Sequence, residues 1–203
     1  MFAEAHKLFC KLDVDKAAGV AILVHASHVS FVRRVHRISD RVLAIDICIA
    51  GKLTRLINVY FPHSGLPVAV LDECYHQVFA LIEDALSKHI AIVIGGDFNS
   101  TLDDSSRGMQ LQELVDSFSL QICNDPHRLE FDDAWTYEHT LHGRHHIDYI
   151  LASRHFQVEN ARAVSDLDLG SDHRAVRATL KTQTRIPRRR QLAKKCQTWM
   201  APV

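Results

Sequence analysis

Three short segments of this chain place carboxylates, a carboxamide and an imidazole beside strand-like runs: GGDFNS with Asp97 and Asn99, HHIDYIL with Asp148, and GSDH with Asp172 and His173. Side chains of these types do two kinds of chemistry. A carboxylate beside an imidazole fixes its tautomer and raises its basicity, which suits a general acid or base. Hard carboxylate oxygens such as those of Asp172 favour magnesium or manganese over softer metals. Each segment is weak on its own, because an Asp in a glycine-rich turn is more often a turn former than a catalyst. Their weight comes from their order and from the elements that must hold them.

AIVIGGDFNS (91–100) runs from a fully apolar strand into a Gly-Gly turn, so Asp97 and Asn99 end a buried strand, a common place for chemistry. GVAILVH (19–25) reads as another buried strand. Residues 41–49 read as a strand with Leu43, Ile45, Ile47 and Ile49 on one face, and 55–60 as a third, closed by the loop formers of FPHSGLP. Between 68 and 88, Leu71, Cys74, Val78, Leu81, Ile82 and Ala85 recur every three or four residues. This spacing predicts an amphipathic helix covering a sheet, with Pro67 near its start. Leu111, Leu114, Val115 and Phe118 predict a second helix, and short strands are expected around 134–137, 146–151, 156–163 and 175–180. The residues before Gly19 carry no readable pattern. Strands outnumber helices, and the chain reads as one domain over 1–180 followed by a basic tail or linker over 181–203, extended or disordered.

Composition narrows the function classes. With 203 residues, 47% of them hydrophobic, the chain can bury one substantial core. It has no uninterrupted apolar run of roughly 18 to 20 residues and no basic segment followed by an apolar one at its start, so a soluble, intracellular protein, nuclear or cytoplasmic, is expected, with no membrane partner. The five cysteines are scattered and form no CxxC pair, which argues against a disulfide framework or a cysteine zinc site. The zero net charge hides an asymmetry. Residues 181–203 hold seven Lys or Arg and no acid, which leaves 17 basic against 24 acidic residues in the rest, a net of −7. An acidic body suits a metal site and a basic tail suits a polyanion.

GDFN, then IDYIL, then SDH before a final apolar strand is a motif series that resembles the endonuclease/exonuclease/phosphatase superfamily, and most nearly the endonucleases of non-LTR retrotransposons. GVAILV, INVYFPHSG and Trp135-Thr136 resemble further stretches of those proteins, so the likeness spans most of 19–180. The resemblance implies a four-layer α/β sandwich of the DNase-I type, two mostly antiparallel sheets face to face with helices outside. It implies that Asp97 and Asn99 position the attacking water and a phosphate oxygen, that Tyr60 contacts phosphate, and that Asp172 is a metal ligand. His173 would act at the scissile phosphate with Asp148 on its other ring nitrogen, and Thr136 and Ser171 would be supporting polar groups at the substrate. The implied cofactor is magnesium, with manganese as the alternative, and the implied activity is single-strand nicking of DNA by a monomer, with a reverse transcriptase following in the full element. Attack on a phosphodiester builds negative charge that a divalent ion and oriented donors stabilise.

The sequence also departs from the pattern. The family's first-strand Asn and its Gln-Glu-Thr Glu lie well upstream of GVAILV, so the expectation is a domain lacking its first strand region, its activity reduced by the loss of those two groups. Glu4, in MFAEAH, lies too near Gly19 for the usual layout and reads as a solvated glutamate. An inactive mobile-element remnant, or a phosphatase or lipid phosphodiesterase on the same fold, are the alternatives. His139, His142, His145 and His146 read as a polar loop ahead of a zinc site, because no cysteine accompanies them, and the resemblance, in which this loop lies close to the bound nucleic acid, implies phosphate contact as the functional alternative. His25, His28 and His36 read as structural or exposed. Arg185, Arg188, Arg189, Arg190, Lys194 and Lys195 read equally as a linker or as a phosphate-binding arm.

Overall fold

The most apolar stretches of the sequence become neighbouring strands at the centre of one sheet. The structure, a computed structural model, describes residues 6–12, 19–129, 134–141, 143–164, 167 and 170–182. Its elements are β1 (His6–Leu12), β2 (Gly19–His25), α1 (Ala26–Val29), β3 (Val32–Arg37), β4 (Val42–Ile49), β5 (Lys52–Tyr60), α2 (Val68–Ser87), β6 (Ala91–Asp97), α3 (Ser106–Ser117), β7 (Leu120–Ile122), β8 (Tyr137–His139), β9 (Gly143–His145), β10 (Asp148–Ser153), β11 (Phe156–Val164) and β12 (Ala175–Thr182). Glu4 and residues 183–203, which hold most of the basic tail, lie outside the described residues.

Six strands form the main sheet in the order β3-β4-β5-β6-β10-β7. β5 and β6 are parallel and the other neighbours antiparallel, so the sheet is mixed. A parallel pair needs a long crossover. α2 supplies it, and buries Leu71, Cys74, Tyr75, Val78, Leu81, Ile82 and Ala85, the predicted stripe with Tyr75 added. α3 follows, with the Ser105 hydroxyl accepting from the Gly108 N–H as its N-terminal cap.

Each face of the sheet has its own cover. On one face Val42, Ala44, Ile57, Val59, Ile92, Ile94, Tyr149 and Leu151 pack with the helices in the largest buried cluster. The other face is covered by two antiparallel hairpins, β1–β2 and β11–β12. β1 and β2 lay Phe9, Val20 and Val24 on Leu43, Ile45 and Ile47. β11 and β12 pack through Phe156 and Leu180 against Ala91 and Ala152. The fold is mixed α/β of the expected class, but no helix longer than the four residues of α1 lies on the hairpin side among the described residues.

One polar group sits deep under the helices. Arg55 is 0% exposed and holds Asp46 through two bonds, Nε to Oδ1 at 2.7 Å and Nη2 to Oδ2 at 2.9 Å. Its Nη1 donates to Asp84 and to the Leu81 carbonyl of α2, each at 2.8 Å, so the network staples β4, β5 and the crossover helix together. His36 of β3 adds a bond to Asp46 at 3.0 Å.

Candidate active site

The site begins as a row across three strands. Tyr60 pairs with Asp97 in the β5–β6 register, and Asp97 with Asp148 in the β6–β10 register. Residues opposite one another in a ladder point to the same side. All three side chains therefore share one end of the hairpin-covered face, at the C-terminal ends of the two parallel strands.

The GGDFN turn is built by backbone constraints. Gly96 has φ +145°, and a Cβ there would collide with the Val59 carbonyl oxygen, so only glycine lets β5 and β6 approach so closely. Asn99 occupies the left-handed region with φ +48°, which Asn tolerates better than most residues. Its backbone N–H donates to Asp97 Oδ1 at 2.7 Å and its amide Nδ2 to Asp97 Oδ2 at 2.8 Å. The second amide hydrogen goes to the Phe61 carbonyl at 2.9 Å. Asn99 thus ties Asp97 to the loop after Tyr60, and the carbonyl end of its side chain remains for a ligand.

The SDH segment arrives beside this turn by bonding to the residues before β10. Tyr137 and His173 form an isolated antiparallel bridge, with Glu138 N–H donating to the Asp172 carbonyl at 2.9 Å and Arg174 N–H to the Thr136 carbonyl at 2.7 Å. His173 Nδ1 lies 3.0 Å from Asp148 Oδ2, and the tilted Tyr137 ring is 4.7 Å from the imidazole. The bond to Asp148 raises the His173 pKa; burial opposes it, and the nearby charges of Asp148, Asp97 and Asp172 add to it. Asp97 behaves the other way round for a carboxylate. Burial, then the charge of Asp148, push its pKa up to about 7 against the lowering effect of the Asn99 N–H.

Tyr60, Asp97, Asn99, Asp148, Asp172 and His173 all line one cleft of about 760 Å³. Two of the expected site residues do not. Thr136 was expected at the substrate, but it is 0% exposed and its hydroxyl accepts the backbone N–H groups of Ile147 and Asp148, at 3.0 and 3.1 Å. It therefore positions the start of β10 from inside. Ser171 is exposed, accepts the His173 N–H at 3.1 Å and orders the turn before the imidazole.

Two contributors, Arg107 and Asn124, had no legible pattern in the sequence. Arg107 of α3 bonds to the Pro62 carbonyl and, at 3.3 Å, to the Asn99 carbonyl, which braces the two cleft loops against each other. Asn124, fully buried, donates to the Asp148 carbonyl at 2.9 Å and accepts from the Ile150 N–H at 2.8 Å. The Trp135 ring is flanked by the guanidinium groups of Arg144 and Arg174, 4.4 and 3.2 Å from its centroid. The histidine cluster divides. His146 is buried against the Ala134 carbonyl and Asn124, and burial lowers its pKa; His139 and His145 line the cleft with His63; His142 lies outside the described residues.

The carboxylates at the cleft are hard oxygen donors of the kind magnesium takes. Among the described residues no group of three or more His, Cys, Asp or Glu converges tightly enough to hold a metal ion. A divalent ion held here would take one or two of these carboxylates, with water and substrate phosphate completing its shell. No described helix is long and apolar enough to cross a membrane.

Comparison with known proteins supplies a family. The sequence profile described as the Endonuclease/Exonuclease/phosphatase family matches residues 6–173. No curated protein sequence matches the chain. Among solved structures, a 3′ phosphatase, NExo, from Neisseria, bound to product DNA hairpin, is similar with a TM-score of 0.65 at 20% identity, covering 86% of this chain and 79% of that one. The endonuclease domain of TRAS1, a telomere-specific non-LTR retrotransposon, has a TM-score of 0.65 at 17% identity, covering 88% and 81%. A family protein from Leptotrichia buccalis has a TM-score of 0.62 at 12% identity, covering 89% and 72%. At these identities the likeness is one of fold.

Proposed function

The chain belongs to the endonuclease/exonuclease/phosphatase family, and from that premise we propose that it is a magnesium-dependent phosphodiesterase that nicks DNA. The observation that carries the reading is the Asp148–His173 couple, bonded at 3.0 Å, opening onto the same cleft as the half-buried, high-pKa Asp97.

In this reading His173 donates its Nδ1 proton to Asp148 and presents Nε2 to the substrate. The bond to Asp148 favours the protonated ring, which suits hydrogen bonding to a non-bridging oxygen as negative charge builds in the transition state. Asp97, fixed by Asn99, holds and orients the attacking water and is poised near neutral pH to take its proton. Tyr60 contacts a phosphate oxygen from the neighbouring rung. Asp172, with Asp97 or Asp148, would hold the magnesium ion, which when bound supplies Lewis-acid stabilisation of phosphate charge. The retrotransposon branch, with a reverse transcriptase as partner domain, rests on GVAILV and IDYIL and belongs to the same proposal.

Nicking of supercoiled plasmid with and without magnesium, beside His173→Ala, tests it. Magnesium-dependent nicking that the variant loses is the expected result. Faster turnover of a 3′-phosphorylated oligonucleotide, poly(A) or a lipid headgroup ester would overturn the endonuclease assignment, and no turnover of any substrate by the folded chain would favour an inactive remnant.

A further inference from the structure

A groove of about 460 Å³ runs between α2 and α3 and shares no lining residue with the catalytic cleft. Its walls carry carboxylates, Asp72 from α2 and Glu113 from α3, and the Gln110 amide joins them by donating to Asp72 at 3.2 Å. Its floor is aromatic: Tyr75 and Phe79 meet edge to face with centroids 6.5 Å apart, beside His76. Glu83 follows Phe79 by about one turn of α2, and Asp116 follows Glu113 by about one turn of α3, so exposed carboxylates continue along both ridges. No Lys or Arg lines the groove. Arg107, whose charge reaches Tyr75, is engaged with the Pro62 and Asn99 carbonyls.

Tyr75 points to what the groove holds. The residue is 7% exposed and its ring packs on Phe61, 4.7 Å between centroids. A buried tyrosine ordinarily bonds its hydroxyl to a neighbour, as Tyr149 does with the His146 carbonyl at 2.7 Å. The Tyr75 hydroxyl has no hydrogen-bond partner among the described residues, yet it is not one of the atoms sealed from the surface, so the tip of this side chain opens into the groove. Burial raises its pKa, which keeps it a neutral phenol whose oxygen can accept. Two carboxylates and a phenol oxygen beside aromatic faces form an acceptor set for an organic cation with an apolar stem. They do not form a metal site, because among the described residues no three His, Cys, Asp or Glu converge closely enough.

We propose that the α2–α3 groove is a docking site for the arginine or lysine side chains of a basic partner polypeptide. One cationic head enters between Asp72 and Glu113 and donates to the Tyr75 oxygen, its stem lies along Phe79, and neighbouring basic residues of the partner meet Glu83 and Asp116. The carboxylates repeated along both helices favour a chain bearing several cations over one small cation, and the same row repels a nucleic acid. The inference is independent of the nuclease reading, since no residue of the groove takes part in it.

The experiment is fluorescence anisotropy of a short fluorescein-labelled peptide of alternating arginine and glycine, titrated with the full chain. The wild type should bind it, and Asp72→Asn/Glu113→Gln should weaken binding by about tenfold or more. Tyr75→Phe, which removes only the oxygen, should weaken it by about threefold to tenfold. The catalytic cleft is acidic too, so Asp97→Asn/Asp172→Asn is the control and should bind as the wild type does. No binding by the wild type, binding lost with the cleft pair, or affinity unchanged by Tyr75→Phe overturns the site. Displacement of the peptide by free arginine amide at an equal concentration overturns the polypeptide as occupant. If the Asp72→Asn/Glu113→Gln variant loses its native circular dichroism, Tyr75→Phe, which keeps the ring packing, decides alone.

Discussion

Asp46, buried, and Asp97, half-buried, are carboxylates on opposite faces of the same sheet, separated by one strand, and the chain treats them in opposite ways. Asp46 receives a two-pronged guanidinium from Arg55 and a third bond from His36. Burial alone would raise its pKa, but the bonds and charges of Arg55 and His36 outweigh burial and leave it lowered. Asp97 receives its hydrogen bonds from one neutral residue, lies near a second carboxylate, and among the described residues has no ion pair. A charge compensated within the chain is architecture. One left uncompensated at a cleft awaits a proton, a cation or a reaction.

The comparison breaks most visibly at Arg55. Arg55→Met leaves Asp46 buried without its cation and should cost about 3 to 5 kcal/mol in urea unfolding, whereas Arg55→Met/Asp46→Leu should recover most of it. A loss below about 1 kcal/mol in the single variant would mean that Asp46 is rehydrated and the contrast with Asp97 is not one of compensation. His173→Ala bears on the other region. It should leave unfolding nearly unchanged and lower nicking by about a hundredfold or more, the usual range for a lost acid or base.

Thr136→Val probes how the second region is held. Its hydroxyl accepts two buried backbone N–H groups, and their loss of a partner should destabilise the fold by about 1 to 3 kcal/mol while shifting the Asp148–His173 couple. Thr136→Ser, which keeps the oxygen, should recover stability and turnover together. Recovery of stability without turnover would show that the methyl group, and not the hydroxyl, sets the couple.

The two regions also differed in how far the sequence disclosed them. Asp97, Asn99, Asp148 and His173 stand in short contiguous motifs at strand ends, where local patterning and composition are informative. Arg107 and Asn124 act on backbone carbonyls brought close only by the tertiary fold, and a single Arg or Asn between elements carries no pattern. Arg55 was hidden for a related reason: in RLINVY it reads as the polar start of a strand, and only α2 folding over it supplies Asp84 and the Leu81 carbonyl. Among the elements, the core strands and α2 announce themselves by apolar runs and spacing. β3, VRRVHR, is an edge strand whose charges protect an open ladder and mask its alternation. β1, HKLFCKL, is similarly masked by Lys7 and Lys11, although Phe9 packs on the sheet.

The finest test of the contrast is the sign of the pH dependence. Asp97 has a folded pKa near 7 against an unfolded value near 4, so the native state holds its proton more tightly. Stability from this group is fully present below about pH 4, falls as pH rises toward about 7, and is then flat. Without divalent ions, Asp97→Asn should remove that fall, and near pH 8 it should be about 1 to 3 kcal/mol more stable than the wild type while nicking poorly. Asp46 has a lowered folded pKa, so its contribution is present above about pH 4 and is lost as pH drops below it; Asp46→Asn should flatten that acid limb. Magnesium should shrink the Asp97→Asn advantage and leave the Asp46 limb untouched, because the ion supplies from outside the compensation that Arg55 supplies from within. An Asp97→Asn advantage that persists undiminished in saturating magnesium would mean that the uncompensated charge does not serve the metal.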